Sequence, residues 1–106
     1  MKSDLLRGHL DALILASVES GPRHGYAISE FLAERSGGQL DVATGTLYPA
    51  LHRLESAGWI DGDWSTVGGR RRRSYRLTRA GVTELARRRT EWTRASGVID
   101  AVLGPG

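Results

Sequence analysis

The 106-residue sequence has no cysteine and only one lysine. Without cysteine there is no disulfide scaffold, no thiolate metal site and no thiol redox chemistry, and the chain suits a reducing cytoplasm. Long apolar runs are missing too. The longest, Leu10 to Val18, is broken by Asp11 and is too short to span a bilayer. Asp4 and Asp11 bracket it and no usual cleavage site follows, so neither membrane insertion nor a secretory signal is expected. Paired catalytic groups are also lacking. His9, His24 and His52 fall on different predicted helices, and no Ser/His/Asp or paired-carboxylate spacing stands out. The pairs Gly37-Gly38 and Gly68-Gly69 are turns, because neither opens a helix carrying the lysine that a phosphate loop needs. An enzyme is therefore not expected, nor is a metal or other cofactor.

What is present is arginine, which makes up fourteen of the fifteen basic residues and hints at a GC-rich bacterial genome. Residues 1–69 hold five basic against nine acidic side chains, a net of −4, whereas residues 70–106 hold ten arginines against three acids, a net of +7. Arginine grips phosphate bidentately and stacks on flat groups, so this polarity fits a nucleic-acid surface; a solvated basic helix face would show it equally. The length is that of one domain.

Leu6, Leu10, Leu13, Ile14 and Val18 recur at helical spacing and predict a first helix over residues 3–19, stopped by Gly21-Pro22. A second helix is predicted from His24 to Ser36, with Ala27, Ile28, Phe31 and Leu32 on one side. Leu40-Asp41-Val42 reads as a short link or a minimal strand. A third helix is predicted from Thr44 to Ala57. Trp59–Trp64 and Arg73–Leu77 read as strands around a loop running from Ser65 through the arginines, and a last helix is predicted from Thr78 to Leu103. This order predicts a mainly α fold with a small β-hairpin: a winged helix-turn-helix over residues 1–77, continuous with a C-terminal dimerisation helix over residues 78–106.

The third helix supports that assignment. Leu47, Ala50, Leu51 and Leu54 share an inward face, which turns Gly45, Tyr48, Pro49, His52 and Ser56 outward and puts Arg53 on the flank. Small and hydrogen-bonding side chains near its start suit a helix that reads a major groove, although a core helix with a polar back has the same pattern. The hairpin adds Arg70, Arg71, Arg72 and Arg73, with Arg76 and Arg79 behind them and no acid between. Up to six like charges at one tip favour a polyanion partner such as the phosphates of double-stranded DNA.

In the last helix Val82, Leu85, Arg89, Trp92, Ser96, Ile99 and Leu103 follow a 3-4 spacing. Such a helix, on the order of 39 Å long, would overhang so small a domain. A homodimer is expected, with Leu6, Leu10, Leu85, Trp92, Ile99 and Leu103 at its interface. Facing copies of Trp92 could leave a slot for a planar aromatic effector, with Ser96 one turn on, or could simply fill the interface core.

Three ordered motifs carry a family resemblance. Gly21-Pro22-Arg23-His24-Gly25-Tyr26-Ala27-Ile28, the run Gly45-Thr46-Leu47-Tyr48-Pro49-Ala50-Leu51-His52-Arg53-Leu54-Glu55, and Gly68 to Thr78 resemble the PadR family of bacterial transcriptional regulators over about residues 5–103. The length resembles the short subfamily with a single C-terminal helix. The resemblance implies a dimeric winged-helix repressor, cytoplasmic and often autoregulatory, released from its operator by a phenolic or drug-like molecule. It makes Tyr26, Thr46, Tyr48, Pro49, His52, Arg53, Arg70 to Arg73 and Tyr75 candidates for DNA contact, with Tyr26 equally able to buttress the second helix. Trp92 looks like the position at which some short members stack ligands. Ser74 departs from the pattern, replacing the first of two aromatics common in the second wing strand. Two rival readings remain: a winged helix used only for protein contacts, and a binder of structured RNA.

Overall fold

The computed structural model describes residues 8–104. Seven elements follow one another: α1 (Leu10–Ser17), β1 (Arg23–His24), α2 (Gly25–Arg35), α3 (Thr44–Ser56), β2 (Ile60–Val67), β3 (Arg70–Leu77) and α4 (Arg79–Leu103). The helices α1, α2 and α3 pack around a core of Ile14, Leu15, Ile28, Leu32, Leu47, Leu51 and Leu54, closed by Ile60, Tyr75 and Leu85 from the sheet and α4. Ile14, Ile28, Leu32, Leu47, Leu51 and Leu54 belong to the apolar stripes that the helical spacing predicts, whereas Leu15 is buried outside the predicted stripe and Leu13, within it, is only partly buried. Among the described residues no helix is long and apolar enough to cross a membrane.

The sheet differs from the predicted hairpin in two ways. It has three strands in the order β1-β3-β2, all antiparallel, with Arg23 opposite Tyr75 and His24 opposite Ser74. The third strand is therefore Arg23–His24, and the stretch Leu40-Asp41-Val42 forms no strand. A two-residue strand has no alternation to reveal it. His24 then caps α2, its Nδ1 accepting the Ala27 N–H at 3.3 Å. The hairpin strands are also eight residues each, joined by Gly68-Gly69 alone. Both glycines have left-handed φ, 56° and 77°, which only glycine adopts readily, so the chain reverses in two residues. The arginines consequently lie along a paired strand and not in a loop.

Thr78 knots the wing to α4. Its hydroxyl donates to the Gly58 carbonyl at 2.6 Å and accepts the Gly81 N–H at 3.0 Å, while its own N–H donates to the Trp59 carbonyl. The helix it starts has 25 residues, about 37 Å at 1.5 Å per residue, in a molecule 54 Å in its longest dimension. Leu85 is 2% exposed and Leu10 9%, both within the chain's own core. These two members of the expected dimer seam are thus already covered by α1–α4 packing. Leu6, the other N-terminal member, lies outside the described residues. Beyond Leu85 the helix leaves the core, keeping contact with α1 and its flanks through Arg88, Arg89 and the edge of Trp92, and Trp92, Val98, Ile99, Val102 and Leu103 stay exposed.

Ion pairs link the helices where the core ends. Arg53 on α3 meets Asp11 on α1, which also lies 3.9 Å from Arg88 on α4, and Arg88 reaches Glu84 at 2.7 Å. Glu84 is nearly buried, and Arg87 hydrogen-bonds both of its oxygens. Arg87, seconded by Arg88, pulls the Glu84 carboxyl down to about 2 against the opposing effect of burial. A carboxyl whose pKa falls on folding adds stability that is complete above its ordinary value of 4.5 and vanishes as pH falls through about 2. Glu84→Gln should therefore lower stability by on the order of 2 kcal/mol at pH 7. Denaturant melts of both proteins at stepped pH should show the gap closing between pH 4.5 and 2. A gap that persists at pH 2 would show that packing, not charge, is responsible.

Candidate nucleic-acid interface

The outward face of α3 and the wing lie side by side. Leu47, Ala50, Leu51 and Leu54 are buried, as their spacing requires, leaving Tyr48, Pro49, His52, Arg53 and Ser56 exposed. Thr46 is half-buried. Pro49 sits in the second turn, where its missing N–H deprives the exposed Gly45 carbonyl of its helical donor. A Cβ added to Gly45 would meet nothing within 4 Å, so the helix surface is open there.

Tyr48 does not simply project. Its ring crosses the start of α2, where a Cβ added to Gly25 would come within 2.6 Å of the tyrosine hydroxyl. Gly25 thus makes room for Tyr48, while Tyr26 beside it is 69% exposed. Because the clash is with the far end of a movable side chain, Gly25→Ala should leave the melting temperature within a few degrees while displacing Tyr48. The expected result is several-fold weaker binding to DNA, read by fluorescence anisotropy. Unaltered affinity would remove Tyr48 from the contact set.

Along β3 the arginines alternate in direction. Arg71 and Arg73 share the Trp64 side, their guanidiniums 4.7 and 5.4 Å from the indole centroid. Arg72 points to the other side and reaches the His24 Nε2 at 3.2 Å. Arg73 forms an ion pair with Glu55 of α3, and Arg76 lies 3.5 Å from Asp61 of β2. The predicted block of six unopposed charges is therefore divided: Arg73 and Arg76 face acids, whereas Arg70, Arg71, Arg72 and Arg79 are exposed and meet no acid among the described residues. Arg53, too, is tied to Asp11 while remaining 58% exposed.

Between α3 and the wing runs a groove of about 480 Å³ bounded by Tyr48, His52, Glu55, Trp64, Arg73 and Tyr75. Tyr75 is 5% exposed and forms the floor of this groove. Burial pushes its hydroxyl above the usual tyrosine range, with Arg73 pulling the other way. Among the described residues no cluster of three or more histidines and carboxylates could hold a metal ion.

Sequence reasoning missed Glu55, Gly62 and Trp64. A signal for them existed: once Gly68-Gly69 is taken as a two-residue turn, counting back along both strands sets Trp64 opposite Arg73 and Gly62 opposite Tyr75, as the register shows. The Glu55 contact carries no such signal, since α3 and β3 meet only through the fold.

A second concavity, about 850 Å³, lies between α1 and α4 and is lined by His9, Ala12, Leu13, Ala16, Leu85 and Trp92 among others. Trp92 is 55% exposed and meets the His9 ring edge-on at 5.0 Å between centroids. Ser96 is half-buried and does not line this space.

Comparison with known proteins places this geometry in context. The family model described as the transcriptional regulator PadR-like family matches residues 14–87. An uncharacterized protein X of Lysinibacillus sphaericus is 34% identical over 104 residues, covering 97% of this chain and 95% of its own. The structure of a transcriptional regulator from Clostridium thermocellum, Cth-833, superimposes with a TM-score of 0.89 at 30% identity, over 96% of this chain and 100% of that one. A PadR family transcriptional regulator from Eggerthella lenta gives 0.85 at 30% identity, over 97% and 88%.

Proposed function

The chain belongs to the PadR-like family of transcriptional regulators, DNA-binding proteins rather than enzymes, and we propose that it acts as a homodimeric, ligand-responsive repressor in the bacterial cytoplasm. The observation that carries this reading is the groove in which Tyr48 and His52 of the exposed α3 face lie beside Trp64 of the wing, the ring that also bears Arg71. The arginines bind phosphates and set the register, while Tyr48 and His52 meet base edges. The bare stretch of α4 with Trp92, Ile99 and Leu103, extended by Val98 and Val102, supports pairing with a second copy. Two-fold pairing would set two reading heads about 34 Å apart on a pseudo-palindromic operator.

The effector suited to the space between α1 and α4 is a flat aromatic molecule stacked on Trp92. It acts as an inducer only if it binds the free spacing of the two heads more tightly than the DNA-bound spacing. The test combines sizing with titration of duplexes from the chain's own upstream region at two salt concentrations. A dimer that binds one short segment selectively, with affinity falling steeply in salt, is the expected result. Weak and sequence-blind binding would count against a repressor. Trp92→Ala should abolish quenching by planar aromatics while the dimer persists; loss of the dimer would make Trp92 interface core instead.

A further inference from the structure

Arg73 is held differently from its neighbours. Its guanidinium lies across β2 at the one place in that part of the strand without a side chain: a Cβ on Gly62 would stand 2.5 Å from its Nε and 2.7 Å from its Cζ. The Glu55 carboxylate of α3 grips one end, and the rings of Trp64 and Tyr75 lie 5.4 and 5.8 Å away. Arg73 and Glu55 are 28% and 29% exposed, so their attraction is less screened than that of a surface pair. The Trp64 ring also carries Arg71, at 4.7 Å, and is still 57% exposed. One aromatic platform therefore bears two arginines, one committed to α3 and one free.

We infer that Glu55, Gly62 and Trp64 are positioning residues for sequence-specific DNA binding, bracing the wing against α3 and holding Arg71 ready for a phosphate. The inference rests on the DNA-binding reading above and adds to it which residues set specificity without reading bases. A two-stranded ribbon is weakly stable alone, and this wing's outer half has no third strand, since β1 reaches only Ser74 and Tyr75. The Glu55–Arg73 pair and the Trp64 stack supply the missing restraint. A free arginine loses rotamer freedom when it is fixed, and stacking it beforehand lowers that cost at binding. Fixing the angle between wing and α3 makes phosphate contacts and base contacts possible together only on the right sequence.

The test uses the full chain, the tightest duplex that wild type selects from a random-sequence pool, and a scrambled duplex of equal length. Anisotropy titrations across salt compare wild type with Glu55→Gln, Trp64→Ala, Trp64→Phe and Gly62→Ala. Glu55→Gln and Gly62→Ala should each weaken the selected duplex about tenfold and leave the scrambled one unchanged or slightly tighter, and Trp64→Ala, which also releases Arg71, should weaken the selected duplex at least tenfold and the scrambled one much less. The salt slope should hold, because the same phosphates are met, and Trp64→Phe should restore most of the affinity by keeping a flat ring. Glu55→Gln is the most discriminating variant, since loss of a negative charge would by long-range electrostatics tighten both duplexes alike. Equal tightening of both duplexes by Glu55→Gln, with Trp64→Ala matching wild type, would overturn the brace. Wild type that distinguishes no duplex would overturn the DNA-regulator reading and the brace with it. Thermal melts of each variant separate these results from loss of fold: a drop shared by both duplexes and by Trp64→Phe would also overturn the brace.

Discussion

Replacing Arg71 and Arg72 together with alanine should weaken operator binding by at least about a hundredfold and lower the slope of log affinity against log salt by about 2. Both side chains are exposed and neither faces an acid among the described residues. Each is expected to neutralise one phosphate, worth about 0.9 in the salt slope and ~1.5–3 kcal/mol as a charge-assisted hydrogen bond. Because they point to opposite sides of β3, they flank a phosphate ribbon instead of competing for one oxygen. The weakening should be similar on operator and scrambled duplexes, since phosphates carry no sequence information. Arg76→Ala is the matched control, because Arg76 lies against Asp61 and contributes little net charge to the tip. Anisotropy titrations between 50 and 200 mM salt read both quantities. An unaltered slope in the double variant would take the wing off the phosphates.

The second large effect concerns the fold. Gly81→Ala should lower stability by about 3 kcal/mol or more, a fall of roughly 12 °C or more in Tm for a domain of this size. A Cβ at Gly81 would stand 2.0 Å from the Trp59 carbonyl oxygen and 2.8 Å from Leu77 Cδ1. The carbonyl belongs to backbone and already accepts the Thr78 N–H, so it cannot swing aside without breaking the junction between wing and α4. Gly97→Ala, on the same helix with nothing within 4 Å of the added carbon, should instead raise stability by up to about 1 kcal/mol through helix propensity. Scanning calorimetry of the two variants tests the contrast. Two equal, small effects would mean that α4 does not approach Trp59 so closely.

Much of this architecture can be read from the chain itself. The inward stripe Leu47, Ala50, Leu51 and Leu54 places Tyr48 and His52 outside by helical geometry alone, and the structure places them there. Thr78 as the cap of the last helix follows from the end of one pattern and the start of another. The wing was partly legible. Its outer half has no buried face, so the alternation that marks a strand is absent there, and Ser65 to Arg72 read as loop. Only the two consecutive glycines recorded how short the turn is.

The sequence by itself determined the order of the four helices and the hairpin, the inward face of the third helix and the concentration of arginine in the final third of the chain. Those properties depend on period and composition, which are local. Tertiary structure decided which charges remain free. Glu55 lies 18 residues before Arg73, and Asp11 lies 42 before Arg53, distances over which no periodicity operates. It also decided where the seam of α4 changes owner. Leu85 and Trp92 share one heptad spacing, yet Leu85 is 2% exposed and Trp92 55%, because Leu85 joins the core beneath α1 whereas Trp92 meets only the His9 edge at the start of that helix. An apolar stripe states that it must be covered; only the positions of the other helices settle how much of it the chain covers by itself.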